Sequence, residues 1–322
     1  MTGSPEPNSV FLRQLRNRVD LVHVPFTDRG ARILFFRDCR AAGRDLLPGG
    51  PFHIRLAERW EKQRTQEGDY RRRKPIVGAL SLIGPNGEPL PLEVTTYPHQ
   101  VILATPLGEV ALAFLDMETL YFRLPKRPIG FQFLVQAAQG RVDRRGGTFR
   151  GTRNTAYTFS APLLCNQVEP RSDGYFAVQA IVDGGLDSAM LLNISPRLGY
   201  NRGIPPAPSV FQAAERRWHD WFAAAPPVLE RYQPQYYYAW SVMRAGLIST
   251  RYFMTREGMT PSKIHYVGVW QWDAFFHALA YRHLDLKLAE DQIRLVLDHQ
   301  REDGMIPDAV HDEGIVTHLT AP

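Results

Sequence analysis

The period of the hydrophobic pattern changes once along the chain, and this change constrains the fold more than any other feature of the sequence. Up to about residue 195, short apolar or alternating runs are separated by turn sequences such as those at 85–87 and 183–185. Runs of this kind, with no long helical segment between them, are typical of strands in an antiparallel β-sandwich. Beyond residue 235 the apolar residues recur at helical spacing, as they do over 289–297.

The same pattern predicts where the elements and domains lie. The predicted strands are the runs at residues 31–36, 51–56, 76–83, 93–97, 100–104, 110–114, 131–135, 175–182 and 188–194. Seven prolines fall within residues 196–234, around one predicted helix with Ser209 as its N-cap. Further helices are expected from about residue 235, near Asp273 and after Asp285. The sequence therefore predicts a β-sandwich domain at 1–195, a proline-rich linker with one helix at 196–234, and a helical domain at 235–322.

The charge balance is only mildly basic, with 38 Lys and Arg against 33 Asp and Glu and a formal charge of +5. It does not argue for a nucleic-acid partner. The dense basic run at 71–74 follows acidic residues and is expected to be a solvated loop. The N-terminus is polar and its first apolar stretch is interrupted by arginines, and no apolar run approaches the roughly 18 residues of a membrane span. We therefore expect a cytoplasmic protein that contacts no nucleic acid and no membrane, and the oligomeric state stays open.

Metal, cofactor and disulfide signals are weak. Cys39 and Cys165 lie far apart, so that one disulfide is compatible with the sequence but nothing requires it. Histidines are frequent near the C-terminus, but His311 and His318 are too loosely spaced for a zinc motif. Glycine-rich phosphate-binding and dinucleotide-binding motifs are absent from the sequence. We expect no cofactor and no bound metal.

The most informative segment places aromatic residues beside one carboxylate where a loop becomes a helix. Tyr266, Trp270, Trp272 and Asp273 fall within eight residues. In the plainer interpretation Asp273 caps the helix and the tryptophans belong to the core. In the functional interpretation the aromatic rings stack on a pyranose ring while the carboxylate binds its hydroxyls, at about 1.5–3 kcal/mol for each hydrogen bond. The second interpretation predicts a sugar site.

A series of motifs extends this segment toward the C-terminus: Tyr266, Trp270-x-Trp272-Asp273, Phe276, Asp285 with Leu288 and Ala289, and Gln300-x-x-Asp303-Gly304-Met305-Ile306-Pro307. This series resembles the opening of the (α/α)6-barrel domain of glycoside hydrolase family 63. The nearest similarity is to the mannosylglycerate and glucosylglycerate hydrolase-like branch of these six-hairpin glycosidases. The segment at 24–34 is similar to the start of the β-domain that precedes some such barrels.

The resemblance implies an α-glycoside hydrolase that acts by inversion on a glucosyl- or mannosyl-containing oligosaccharide or sugar-glycerate. Tyr266, Trp270, Trp272 and Asp273 would then line the glucose or mannose subsite, and residues 235–322 would form the N-terminal part of the barrel. Twelve helices need far more residues than follow Glu230. We therefore expect a truncated form of a larger enzyme, whose catalytic acid and base lie beyond Pro322.

Incomplete packing of such a barrel would leave apolar helix faces exposed at Trp240, Leu247, Phe276, Leu279 and Ile293. Four further carboxylates, those of Asp303, Asp308, Asp312 and Glu313, are alternatives for a catalytic role within the chain. Asp303 is expected instead to shape the turn at Gly304. The competing class of function is a non-catalytic carbohydrate-binding or interaction protein that retains part of a sugar subsite.

Overall fold

A computed structural model describes residues 6–37, 51–58, 74–185, 187–197 and 199–317. The chain divides into two compact units. One, here called the β unit, comprises Met1–Phe26, Ile33–Arg55 and Lys74–His219. The other, called the helical unit, comprises Thr27–Arg32, Leu56–Arg73 and Asp220–Pro322. The predicted boundaries at residues 195 and 234 stay predictions. The described Cys165 is a free thiol, whereas Cys39, most of the basic run at 71–74, and His318 lie outside the described residues.

The described part of the β unit is built mainly of strands. In chain order, β1 to β14 are Ile33–Arg37, Phe52–Leu56, Val77–Ile83, Glu93–Tyr97, Gln100–Thr105, Gly108–Asp116, Thr119–Arg123, Ile129–Gln136, Gln139–Asp143, Gly146–Arg150, Asn154–Phe159, Leu163–Pro170, Tyr175–Val182 and Ala189–Ser195. The nine predicted runs coincide with β1–β6, β8, β13 and β14 to within two residues at each end. The sequence did not predict β7 or β9–β12.

These strands form two sheets. One has the order β1-β2-β3-β8-β13-β12, and the other has the order β4-β5-β6-β7-β14-β11-β10-β9. The pairings with a described register, such as β8 with β13 and β11 with β14, are antiparallel. The predicted antiparallel β architecture of the N-terminal region is thus confirmed.

Aromatic side chains from both sheets meet in the core of the β unit. Along β8, Phe131 and Phe133 are buried while Gln132 between them is exposed, as the alternation of a strand requires. The ring of Phe131 lies 5.8 Å from that of Phe122 on β7, and the ring of Phe133 lies 5.5 Å from that of Tyr157 on β11. β7 and β11 belong to the other sheet, so these edge-to-face contacts join the two layers.

Two helices follow in chain order: α1 (Val10–Gln14) belongs to the β unit, and α2 (Ala207–Ala223) belongs to it up to His219, whereas its last turn belongs to the helical unit. The prediction that Ser209 is the N-cap of α2 is wrong. The helix begins two residues earlier, because the prolines around its start fit the first turn, where no intrahelical N–H bond is needed. The Ser209 hydroxyl donates instead to the carbonyl oxygen of Pro206 at 2.7 Å. Val210 of α2 packs against Tyr121 and Leu191 of the eight-stranded sheet.

The helical unit contains α3 (Gln233–Gly246), α4 (Gln271–Tyr281) and α5 (Leu286–Leu297). Five short strands accompany them: β15 (Leu247–Ile248), β16 (Gly258–Met259), β17 (Val269–Trp270), β18 (Ala309–His311) and β19 (Gly314–Val316). β15 pairs with β16, and β17, β18 and β19 form a three-stranded sheet. The three expected helices are present, each within two residues of its predicted start. None of the described helices is long and apolar enough to cross a membrane.

Burial within the helical unit corrects the expectation that all five apolar residues are exposed. Phe276 and Leu279 are indeed 57% and 53% exposed, whereas Trp240 and Leu247 are buried and Ile293 is half-buried. Trp240 is covered because its ring meets that of Trp221 edge-to-face, and its carbonyl oxygen accepts a hydrogen bond from the Trp221 indole at 2.9 Å. The exposed residues lie on the outer side of α4.

We predict that Phe133→Ala destabilises the β unit strongly and that Gln132→Ala does not. Removing the Phe133 ring leaves a cavity between the sheets and is expected to lower the free energy of unfolding by about 3–5 kcal/mol. The neighbouring Gln132→Ala, on the exposed side of the same strand, is expected to change it by less than about 0.5 kcal/mol. Urea denaturation of both variants checks this, and equal effects would contradict the two-layer core.

Candidate functional site

The candidate site lies where β17 turns into α4. Val269 and Trp270 of β17 pair with Val310 and Ala309 of β18. The preceding Gly268 has a φ of +133°, and a Cβ at that position would lie 2.4 Å from Nδ1 of His311. Only glycine permits both this backbone conformation and this close approach. The turn therefore fixes the position of Trp270 next to the first turn of α4.

The aromatic residues of the predicted site contact one another in two groups. The rings of Tyr266 and Trp270 lie 5.8 Å apart in an edge-to-face contact. The ring of His311 makes a second edge-to-face contact with Trp270, at 6.1 Å. The ring of Trp272 lies 5.8 Å from that of Phe276, one turn further along α4. Tyr266 and Trp272 are 54% and 61% exposed. Both can therefore offer ring surface to a ligand, whereas the indole N–H of Trp270 is buried and meets no acceptor among the described residues.

The interpretation of Asp273 as the helix cap is wrong. Trp270 occupies the N-cap position of α4 with extended backbone angles, and it makes no side-chain capping bond. Because Trp270 is still paired in β17, the helix begins at Gln271 and Asp273 lies within its first turn. By contrast, Asp285 does cap α5, since its Oδ1 accepts a hydrogen bond from the backbone N–H of Leu288 at 3.1 Å.

Asp273 is half-buried as a residue, and no hydrogen bond from a described residue reaches its carboxylate. His277 lies one turn later on α4. Burial lowers the pKa of His277, and the charge of Asp273 partly offsets this shift. From the sequence, His277 was counted only among the histidines near the C-terminus, although its spacing of four residues from Asp273 could have indicated that the two lie together.

Two of the other candidate carboxylates have structural partners. Oδ1 of Asp303 accepts from the backbone N–H of Met305 at 3.1 Å, and Gly304 between them has a φ of +85°. Asp303 thus shapes the turn, as expected. Asp312 is buried and forms a double hydrogen bond with Arg32. Neither carboxylate is free to bind a ligand as Asp273 is.

Metal ligands do not converge anywhere in the described part of the chain, where no group of three or more His, Cys, Asp or Glu residues could hold an ion. His311 instead packs against Trp270, a role that its position in the sequence did not indicate. It is brought there by the pairing of β17 with β18, across about 40 residues of chain.

A buried lysine supports the N-terminal segment of the helical unit. Nζ of Lys263 donates to the carbonyl oxygens of Ala31 at 2.6 Å and Asp28 at 3.1 Å, and to the hydroxyl of Thr27 at 3.3 Å. Burial lowers the pKa of Lys263 to about 7, and the nearby charge of Asp28 opposes this shift. Lys263 therefore links the segment at 27–32 to the loop that precedes Tyr266.

Comparisons with known proteins agree with the segment that the motifs singled out. Residues 266–319 match the family model described as the mannosylglycerate hydrolase MGH1-like glycoside hydrolase domain. The predicted resemblance to family 63-like six-hairpin glycosidases is thereby confirmed for this segment. None of the curated proteins matches the sequence.

A solved structure from the human microbiome, described as a kojibiose phosphorylase, has a similar fold. The TM-score is 0.61 at 8% sequence identity, and the similarity covers 98% of this chain and 54% of that chain. The chain therefore spans about half the length of that structure. At this identity the likeness concerns the fold alone, a β-rich region followed by helices. Together with the family match, it makes the chain similar to carbohydrate-active enzymes of the glycosidase type.

The lowered pKa of Lys263 predicts a pH-dependent stability. The unfolded chain keeps this proton up to a pH near its ordinary pKa of 10.5, and the folded chain only up to about 7. The contribution of Lys263 to the free energy of unfolding is therefore constant and at its lowest below pH 7. Above pH 7 this contribution rises with pH, by at most about 1.4 kcal/mol per pH unit. In Lys263→Met this rise is expected to disappear.

Urea denaturation of wild type and Lys263→Met between about pH 6 and about pH 9 checks this. The matched control is Lys287→Met, because Lys287 is exposed and paired with Asp291 on the surface of α5. The difference between wild type and this control is expected to stay constant over the range. A constant difference for Lys263→Met as well would contradict the prediction.

Proposed function

We propose that Tyr266, Trp270, Trp272 and Asp273 form part of the sugar-binding subsite of an α-glycoside hydrolase. The observation that carries the proposal is the state of Asp273: a half-buried residue of the first turn of α4, without a hydrogen bond from a described residue, that directly follows the exposed Trp272. Asp312, which is buried, is paired with Arg32. Asp273 is only partly buried and has no partner among the described residues, so its carboxylate is available to accept hydrogen bonds from a ligand.

The chemistry of a pyranose matches these groups. Its apolar C–H face stacks on an aromatic ring, and its vicinal hydroxyls donate to a carboxylate. In this proposal the exposed rings of Tyr266 and Trp272 supply the stacking surface, and Asp273 accepts about two hydrogen bonds worth about 1.5–3 kcal/mol each. Trp270 contributes its ring, since its indole N–H is shielded, and it packs against Tyr266 to hold that ring in place.

The finer proposal is that the substrate is a glucosyl- or mannosyl-containing oligosaccharide or sugar-glycerate and that the reaction inverts the anomeric centre. Inversion needs a carboxylic acid and a carboxylate about 6.5–9.5 Å apart on either side of the sugar. Asp303 and Asp312 are engaged in a turn and an ion pair. By resemblance to the family we assign Asp273 to sugar binding and the acid and base to residues outside those described here, with Asp308 and Glu313 as the alternatives within the described chain.

The alternative is a non-catalytic protein that binds carbohydrate through the same subsite. It is favoured by the engagement of Asp303 in a turn and of Asp312 in an ion pair, which removes two of the four other candidate carboxylates from acid–base chemistry. Both functions require sugar binding at Asp273. Only the first requires hydrolysis by the complete enzyme.

We predict that Asp273→Asn weakens sugar binding while the melting temperature barely moves. Loss of the charge removes the stronger part of two hydrogen bonds, so that affinity for methyl α-D-glucopyranoside or methyl α-D-mannopyranoside is expected to fall about tenfold or more. Titration of tryptophan fluorescence, with thermal unfolding of the same samples, measures both. The control is Asp303→Asn, which is expected to lower the melting temperature slightly and to leave affinity unchanged. An Asp273→Asn variant that binds sugar with wild-type affinity would contradict the proposed sugar site.

We also predict that the 322-residue chain hydrolyses neither 4-nitrophenyl α-D-glucopyranoside nor the corresponding mannoside above the background rate. Asp273 binds the sugar in this proposal and does not transfer a proton, and general acid and base groups are both needed for hydrolysis. Release of 4-nitrophenol is the measurement. Turnover that is abolished by Asp303→Asn or Asp308→Asn would show that the catalytic pair lies within this chain.

A further inference from the structure

A six-residue segment near the N-terminus, Thr27–Arg32, is part of the helical unit. The backbone N–H of Gly30 donates to the carbonyl oxygen of Leu247 at 2.9 Å, and the N–H of Ser249 donates to the carbonyl oxygen of Gly30 at 3.1 Å. The segment thus bridges to β15 in parallel orientation. It brings Arg32 into the interior of the helical unit.

Arg32 is 3% exposed and uses its guanidinium to join two distant parts of this unit. Nε donates to Oδ2 of Asp312 at 2.7 Å, and Nη2 donates to Oδ1 of the same carboxylate at 2.5 Å. Nη1 donates to the hydroxyl of Ser249 at 3.0 Å, and Nη2 also donates to its carbonyl oxygen at 2.9 Å. A planar guanidinium with two parallel bonds to one carboxylate fixes orientation as well as distance.

Asp312 directly follows β18, in the turn that leads to β19. Its own carbonyl oxygen accepts a hydrogen bond from the N–H of Phe253 at 3.3 Å, so the turn is held on its backbone side as well. β18 pairs with β17, and its last residue, His311, lies against the ring of Trp270. The N–H of Gln271, the first residue of α4, donates to the carbonyl oxygen of Asp308 at 2.7 Å. The position of the hairpin therefore determines where Trp270 and the start of α4 lie.

We propose that Arg32 and Asp312 are positioning residues for the sugar subsite: their ion pair fixes the β18–β19 hairpin, and the hairpin fixes Trp270. This inference rests on the proposed function for the identity of the ligand. Neither residue touches the sugar. Displacement of the hairpin moves the ring of Trp270 and, through it, Tyr266, and such misplacement costs a binding site much of its affinity.

A second ion pair provides a control that distinguishes a positioning role from a purely stabilising role. Arg29, in the same segment, forms an equally direct fork with Glu257, with Nε to Oε1 at 2.9 Å and Nη2 to Oε2 at 2.6 Å. Glu257 immediately precedes β16, which pairs with β15 and not with the hairpin. Breaking this second pair is expected to destabilise the unit without moving Trp270.

The experiment compares Asp312→Asn with Glu257→Gln in the full chain labelled with 5-fluorotryptophan. The ¹⁹F resonance of Trp270 is assigned by Trp270→Phe, and affinity for methyl α-D-glucopyranoside is measured on the same proteins. In Asp312→Asn the Trp270 resonance is expected to shift or broaden and the affinity to fall about tenfold. In Glu257→Gln the resonance and the affinity are expected to match wild type, although both variants melt at lower temperature.

An unchanged Trp270 resonance in Asp312→Asn would overturn the inference, as would equal changes in both variants. The resonance needs no ligand, so it tests the positioning even when wild type binds no sugar, a result that would instead count against the proposed function. If Asp312→Asn does not fold, Arg32→Lys serves as the second variant. It keeps the buried charge but cannot form the two-bond fork, and it is expected to shift the same resonance in a folded protein.

Discussion

Among the buried ion pairs of the helical unit, the one between Arg32 and Asp312 joins its N-terminal segment to the β18–β19 hairpin. Both side chains are more than nine-tenths buried, and a charge in that environment is tolerated only where a partner and further hydrogen bonds replace its water. Removing either residue would leave the other as an uncompensated buried charge, which typically costs about 3–5 kcal/mol. The pair therefore commits a short N-terminal segment to the helical unit. Arg244, whose Nε lies 3.2 Å from Oδ1 of Asp28, and Lys263 attach the same segment from other sides.

The candidate site combines a rigid base with an open surface. The pairing of β17 with β18 fixes the backbone of Trp270, and Gly268 allows the close approach of His311. On the outer side of α4, four large apolar residues are exposed at helical spacing: Trp272, Phe275, Phe276 and Leu279. Exposed apolar residues at this spacing form one face of the helix. In the proposed subsite, Asp273 on the same helix would supply a charged acceptor for sugar hydroxyls.

Local sequence patterns predicted the elements that are rich in strand-forming residues. The strands at 93–97 and 175–182 were predicted at their observed ends, because β-branched and aromatic residues are frequent in both runs. β9 was missed because all five of its residues are exposed and carry no apolar pattern. β10 begins with two glycines and was missed for a related reason, since glycine disfavours strands unless neighbouring residues require it. Tyr157 packs against Gly147, a contact that no local pattern encodes.

The sequence by itself determined the change from strands to helices, the aromatic residues beside Asp273, and the turn at Gly304. These depend on residues close together in the chain, where periodicity, turn preferences and side-chain chemistry act directly. Only the tertiary structure decided that Asp273 lies inside the helix without a capping bond, and that Asp312 pairs with Arg32, which lies 280 residues away. Which buried charges meet depends on how distant segments pack, because the cost of leaving a charge unpaired exists only once water has been excluded.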